Sequence, residues 1–258
     1  MAEFQEKCRL VDYTQVAEGI YRLTVEAPRI SSAAGPGQFV MVRVSDTLDP
    51  LLRRPLSIHR VRDDHLSLLF KIIGRGTELL ARARVGESLD ILGPLGHGFE
   101  PTIGRPVCLV GGGMGIAPLY FLADHLRDLG VDMSGSSVLL GARNRDELAL
   151  LSNEFVQLGY RVQVATDDGS FGHHGFVPEL LEPLLPEISR VYTCGPWPMM
   201  KTTAQKCRRA GIDCRVSLEA HMACGLGACL GCTLRGASGG YLHVCKQGPV
   251  FKAGEVAW

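Results

Sequence analysis

The sequence carries no excess of charge of either sign. Its 258 residues hold 27 Lys and Arg against 27 Asp and Glu. The balance is local as well: residues 1–102 carry 13 of each sign and residues 103–258 carry 14 of each. Neither part is basic enough in bulk to bind nucleic acid or an anionic membrane. Long apolar runs are missing too, and none approaches the ~20 residues that span a bilayer. The opening MAEFQEKCRLVDY has no apolar core of the secretory type, so the expected location is the cytoplasm. There is no internal repeat and no low-complexity tract. Nor is there a G-x-G-x-x-G, so the ordinary dinucleotide fingerprint does not apply.

With 46% hydrophobic and 21% charged residues, the composition is that of an ordinary globular protein. Two residue types are abundant, with 31 glycines and 9 cysteines. The cysteines are uneven: Cys8, Cys108 and Cys194 precede residue 207, and six fall in the last 52 residues. In a reducing compartment such a cluster points to metal or redox chemistry before disulfides.

Three textures follow one another along the chain. Residues 1–102 alternate apolar and polar positions between Gly and Pro punctuation, with a hairpin expected around Gly19. This predicts a small antiparallel β-barrel. One helical insert, GTELLARARV, places Leu79, Leu80 and Ala83 on a face. Residues 103–216 alternate buried-type strands (PVCLV, SSVLLGAR, RVQVATDD, RVYTCGP) with amphipathic helices (APLYFLADHLRDLG, ELALLSNEFVQLG, PWPMMKTTAQKCRRAG). That order predicts an α/β domain with a parallel sheet. Residues 217–258 crowd glycine and cysteine together, and so short a tail needs a staple. The fold class expected is mixed β and α/β: barrel, parallel-sheet domain and small C-terminal module.

The staple is visible in CGLGACLGC. Cys224, Cys229, Cys232 and Cys245 form C-x4-C-x2-C-x12-C, the ligand spacing of a plant-type [2Fe–2S] cluster. Four thiolates hold two irons, and Gly225, Gly227 and Gly231 let the backbone wrap close and turn N–H groups toward sulfur. A zinc ribbon normally shows two C-x2-C knuckles, and only one is present. Zinc and a disulfide remain the alternatives. Cys207 and Cys214 lie outside the pattern and are expected to be plain thiols.

Two further segments carry ligand chemistry. Arg54-Pro55-Leu56-Ser57 opens a strand. Gly74-Arg75-Gly76-Thr77 follows about twenty residues later at a helix start. An arginine pairs with a pyrophosphate, and N–H groups at a helix start meet phosphate. Gly111-Gly112-Gly113-Met114-Gly115-Ile116-Ala117-Pro118 ends a buried-type strand and opens a helix, as a glycine-rich phosphate turn does. The strand-end loops Gly141-Ala142-Arg143 and Asp167-Asp168-Gly169-Ser170 are placed on the carboxyl edge of the sheet, where ligands gather. His173 and His174 are expected in an exposed loop with no partner at metal spacing.

Together these segments resemble the ferredoxin–NADP⁺ reductase superfamily, through its R-x-[YF]-S and GGxGIAP motifs, with Leu56 standing where that family has an aromatic. The chain as a whole resembles the electron-transfer subunits of class 1B, NAD-dependent dihydroorotate dehydrogenases, on SLEAHMACGLGACLGC and the ending VCKQGPVFKAGEVAW. Reductase subunits of hydrogenases and sulfite reductases share the three modules, and their cysteine loops more often read CGxGxCGHC. The resemblance implies FAD on Arg54, Pro55, Leu56, Ser57, Leu69, Phe70, Lys71, Gly76 and Thr77. It implies NAD on Gly111, Gly112, Gly113, Gly115, Gly195 and Pro196, with Cys194 as the catalytic candidate beside nicotinamide and flavin. It also implies a heterotetramer with an FMN-containing catalytic subunit. Electrons would pass from that FMN through the [2Fe–2S] cluster and FAD to NAD⁺, as dihydroorotate becomes orotate in pyrimidine synthesis. A reductase subunit serving another oxidoreductase and a non-enzymatic zinc adaptor are the other classes open to the sequence alone.

Overall fold

A computed structural model describes residues 3–131 and 133–258. Its first part is a closed barrel of six antiparallel strands: β1 (Phe4–Ala17), β2 (Ile20–Glu26), β3 (Phe39–Arg43), β4 (Arg54–Arg62), β5 (His65–Lys71) and β6 (Ser88–Leu95). Their order around the barrel is β1-β2-β5-β4-β3-β6. Alternation decides which face is inside. On β3, Val40 and Val42 join the barrel core with Leu10, Leu23, Ile58 and Leu68, while Phe39 and Met41 belong to a second buried cluster outside it. The β1–β2 turn needs Gly19, whose φ is +68°. Two helices of six residues punctuate the barrel, α1 (Pro28–Ala33) and α2 (Arg75–Leu80). The second is shorter than the ten-residue insert expected from sequence. After Leu80 the backbone N–H groups of Arg82 and Ala83 bond three residues back, so the coil tightens into a turn.

The second part is built on a seven-stranded sheet. Chain order runs β7 (Val107–Gly112), α3 (Ile116–Asp128), β8 (Ser137–Ala142), α4 (Ala149–Gln157), β9 (Arg161–Thr166), β10 (His173–His174), β11 (Arg190–Cys194), α5 (Trp197–Ala210) and β12 (Asp213–Ser217). Strands β7, β8, β9, β11 and β12 pair in parallel. Buried on both faces, β7 shows no alternation, and all six of its residues are inside. The two histidines are not in a loop: they pair with Ala165 and Thr166 as a short parallel strand. His173 Nε2 also lies 2.7 Å from Glu179 Oε2, a carboxylate partner that spacing along the chain did not reveal.

The last part adds β13 (Thr233–Arg235), β14 (Tyr241–His243), α6 (Val244–Gln247) and β15 (Val250–Lys252). β13 and β14 form a small hairpin sheet. β15 instead pairs antiparallel with β12 and completes the large sheet, in the order β10-β9-β8-β7-β11-β12-β15. The cysteine module is thus stitched to the α/β sheet. It is also clamped to the barrel, where His97 N–H donates to Gly248 O at 2.6 Å and His97 Nδ1 lies 2.9 Å from Lys246 O.

Barrel and sheet meet through α3 and α4. Arg22 of β2 pairs with Glu154 of α4, and Arg62 of β4 reaches Asp124 of α3 at 2.6 Å. Fully buried His59 stacks on Tyr120, with ring centroids 4.7 Å apart. Lys71 at the end of β5 pairs with Glu147 at 2.6 Å. No helix among the described residues is long and apolar enough to cross a membrane.

Candidate functional site

The flavin candidates surround a gap in the barrel wall. β4 and β5 are paired from Arg62–His65 as far as Ile58–Leu68, and there the ladder ends. Beyond it Arg54–Ser57 continue on β3 alone, and Leu69–Lys71 on β2 alone. Two strands that part leave backbone groups without a ladder partner, which a planar ligand can meet. Arg54 sits at the rim. Its guanidinium donates to the Leu52 carbonyl and has no carboxylate partner among the described residues. It lies directly over Gly76: a Cβ there would come within 2.1 Å of Arg54 Nε. The two segments that looked weak separately are therefore in contact, and the glycine is what admits the arginine.

Thr77 turns its hydroxyl inward, accepting from Ile73 N–H at 3.0 Å and donating to Gly74 O at 2.9 Å. Its side chain fixes the turn, taking up the N–H groups of Ile73 and Gly74. The Ser57 hydroxyl has no partner among the described residues. Leu69 and Phe70 are packed into buried clusters, Phe70 stacking on Tyr21 at 5.9 Å. Only their backbone faces the gap. Lys71 is held by Glu147.

The nucleotide turn and the Cys-Gly-Pro turn are pressed together. Gly111 ends its pairing opposite Cys194. A Cβ on Gly115 would sit 2.1 Å from Cys194 O, and one on Gly195, whose φ is +148°, would sit 2.7 Å from Gly112 O. A Cβ on Gly112 would meet Met199 Sδ and Pro196 Cδ at 2.6 and 2.9 Å. Gly113 takes φ +52° to make the corner. Interlocked glycines of this kind bring backbone within reach of a ligand at the start of α3.

Cys194 is 1% exposed, and burial pushes its thiol well above the ordinary range, with the nearby Glu219 charge adding to the effect. It is a neutral thiol, suited to packing against a ring and not to nucleophilic attack. Sequence reasoning missed Glu219. It follows β12, whose Ser217 pairs with Cys194. Its side chain reaches solvent, yet the surrounding protein raises its carboxyl pKa by desolvation, and no partner offsets that among the described residues. Of the strand-end acids, Asp168 is occupied: it accepts from Ser170 N–H and Oγ–H at 2.9 and 2.6 Å, which lowers its pKa. Arg145 N–H donates to Ser170 Oγ at 2.9 Å.

The four tail cysteines are met as two pairs. Cys232 Sγ and Cys245 Sγ are 3.2 Å apart, and Cys229 N–H points at Cys224 Sγ at 3.5 Å. The loop between them aims further N–H groups at sulfur: Leu226 to Cys224 at 3.3 Å, Gly227 to Cys245 at 3.1 Å, Gly231 to Cys229 at 3.5 Å. Desolvation opposes ionisation of Cys224, but the N–H groups of Cys229, Leu226 and Ala228, with the Cys229 thiol, outweigh it and draw its pKa down to about 6. The opposite holds at Cys245, where desolvation and the Cys232 thiol push it up to about 12. Among the described residues no three or more His, Cys, Asp or Glu side chains converge as on a single metal ion. Cys207 and Cys214 are buried in the α/β domain with Cys108, apart from this loop.

Comparison with known proteins agrees with this architecture. The model of the iron–sulfur cluster binding domain of dihydroorotate dehydrogenase B matches residues 219–257, and that of an oxidoreductase NAD-binding domain matches residues 109–205. The electron transfer subunit of dihydroorotate dehydrogenase B (NAD(+)) from Desulforamulus reducens is 41% identical over 94% of both chains. The subunit of the same name from a Geobacillus species is 40% identical over 98% of both. Among solved structures, an NADH-dependent reduced ferredoxin-NADP oxidoreductase superposes with a TM-score of 0.87 at 31% identity, covering 98% of this chain and 90% of that one. A ferredoxin NADP⁺ reductase from Neisseria gonorrhoeae with bound FAD and NADP shares the fold at a TM-score of 0.67 and 20% identity, covering 80% of this chain and 92% of that one. With barrel, interlocked nucleotide turn and cysteine loop in place, and two-fifths of its residues shared over nearly its whole length, the chain belongs to the family of electron transfer subunits of NAD-dependent dihydroorotate dehydrogenase B.

Proposed function

We propose that this chain links a dihydroorotate-oxidising, FMN-containing catalytic subunit to NAD⁺, working in the cytoplasm as two copies of each subunit. The observation that carries the reading is the ring of backbone N–H groups turned onto Cys224, Cys229, Cys232 and Cys245. Sulfurs that collect N–H donors are built to bear negative charge, as cluster thiolates do. The pairing supports Cys224 with Cys229 on one iron and Cys232 with Cys245 on the other. When bound, a flavin supplies the exchange between hydride chemistry at NAD⁺ and single electrons at iron–sulfur.

The remaining work belongs to protein groups. Arg54 neutralises the flavin pyrophosphate, and the Ser57 hydroxyl and free backbone at Leu69–Lys71 orient the ring. The turn at Gly111, Gly112, Gly113 and Gly115 seats the dinucleotide. Gly195 and Pro196 hold the Cys194 wall close to it. None of these residues is a base placed for dihydroorotate, which accords with that chemistry residing in the partner. Nine thiols, none of them paired in a disulfide, suit a reducing compartment.

Metal analysis tests the reading. Protein purified anaerobically is expected to hold about two irons per chain. Cys224→Ser should remove them, because an alcohol is a poor ligand for iron, and Cys214→Ser should not. Stoichiometric zinc without iron, or iron retained in Cys224→Ser, would contradict it.

A further inference from the structure

The cysteine loop does not hang free: it is seated on the barrel at one side chain. Met41, on β3, is completely buried and faces away from the barrel interior. A Cβ on Gly225 would lie 2.7 Å from Met41 Cγ and 3.1 Å from its Sδ. Gly225 adopts φ +73°, so it is fitted to this approach both by conformation and by lack of a side chain. It is the residue next to Cys224. On its other side, Met41 is the direct cross-strand partner of Pro55, which stands between Arg54 and Leu56 at the gap between β4 and β5. Cross-strand neighbours on one face are in contact range. Met41 shares its buried cluster with Leu95, Cys232, Val244 and Cys245.

We infer that Met41 is the positioning residue that couples the cysteine loop to the flavin gap. The inference rests on the cluster and flavin assignments above. Electron transfer between two bound groups weakens steeply across empty or water-filled space and is favoured by packed atoms. Met41 fills the interval between Gly225 and Pro55 with a polarisable thioether. A Cβ on Gly225 would also lie 3.2 Å from Leu95 Cδ1, but the partner position of Leu95 is Phe39 on β3, not a residue of Arg54–Ser57. The two side chains therefore support the same loop, but Met41 is itself paired with Pro55 of β4, whereas Leu95 reaches β4 through an intervening residue, Phe39, the partner of Ser57. With both groups bound, NADH would supply a hydride to the flavin and one of its two electrons would pass on to the oxidised cluster, the hydride's proton remaining with the flavin or leaving to solvent.

The holoprotein carrying Met41→Ala, Met41→Leu or Leu95→Ala tests this. Iron content and the electron paramagnetic resonance spectrum after direct chemical reduction establish that the cluster is present. Stopped-flow mixing with NADH then follows flavin bleaching and cluster reduction separately. Met41→Ala should bleach its flavin at the wild-type rate and slow cluster reduction by about tenfold, the cost of a vacated contact. Met41→Leu conserves volume and should restore the rate, and Leu95→Ala should leave it unchanged. Hydrogen exchange of residues 225–231 should rise in Met41→Ala and return to normal in Met41→Leu. Should Met41→Ala lose its iron, Met41→Val is read in the same way. Unaltered cluster reduction in an iron-loaded truncation, or equal slowing in Leu95→Ala, overturns the role of Met41. A wild-type protein without iron or flavin would instead overturn the assignments beneath it.

Discussion

At the scale of single residues, the glycines explain more than the charged groups do. Gly76 exists so that the Arg54 guanidinium can lie across it, and Gly115 so that the Cys194 carbonyl can touch the nucleotide turn. This yields a prediction that a simple charge count would not. Arg54→Ala removes a charge-assisted contact of about 1.5–3 kcal/mol, or roughly 10- to 150-fold in FAD affinity. Gly76→Ala should weaken FAD to a comparable degree while keeping every charge, because its Cβ displaces the arginine. Flavin titration of the apoprotein measures both. An unchanged affinity in Gly76→Ala would mean that Arg54 is not held where the flavin needs it. The residues that sequence alone did not reveal were those whose role depends on a neighbour remote in the chain. Glu219 matters because β12 sets it beside Cys194, and Met41 because a loop 184 positions away rests on it.

At the scale of elements, the long periodic segments were legible and the short ones were not. Helices α3, α4 and α5 fall where the apolar spacing placed them, because each covers a hydrophobic sheet face. Strands β10 and β15, of two and three residues, are too short to show a period, and β15 is fixed by pairing with β12 across the cysteine module. The same dependence on pairing makes the contact of barrel with α4 testable. Desolvation opposes ionisation of Glu154, but His59 and Arg22 outweigh it and lower its carboxyl below the usual 4.5. A depressed folded-state pKa stabilises the fold above the unfolded value and ceases to do so as pH falls through the folded value. This contact should therefore be at full strength at neutral pH and weaken below pH 4.5. Glu154→Gln should cost about 1–3 kcal/mol at pH 7, and the gap from wild type should narrow on acidification. Denaturant melts across that range measure it. A gap that stays constant with pH would remove the ionic part of the argument.

At the scale of the whole molecule, three candidate binding regions share one body. The cysteine loop is seated on the barrel, the barrel gap opens beside β4 and β5, and Lys71 and His59 tie those strands to the α/β domain. In the function proposed above, this subunit oxidises or reduces nicotinamide and the partner handles dihydroorotate. Leu226 and Leu230 are exposed on the loop that carries the cysteines. The most direct test mixes the holoprotein with the FMN-containing catalytic subunit and follows orotate formation with NAD⁺ as acceptor. The account predicts no orotate from this chain alone, NAD⁺-dependent orotate from the mixture, and loss of that coupling in Cys224→Ser with NADH–dye activity intact. Orotate formed by the chain alone, or full coupling through the Cys224→Ser subunit, would contradict it.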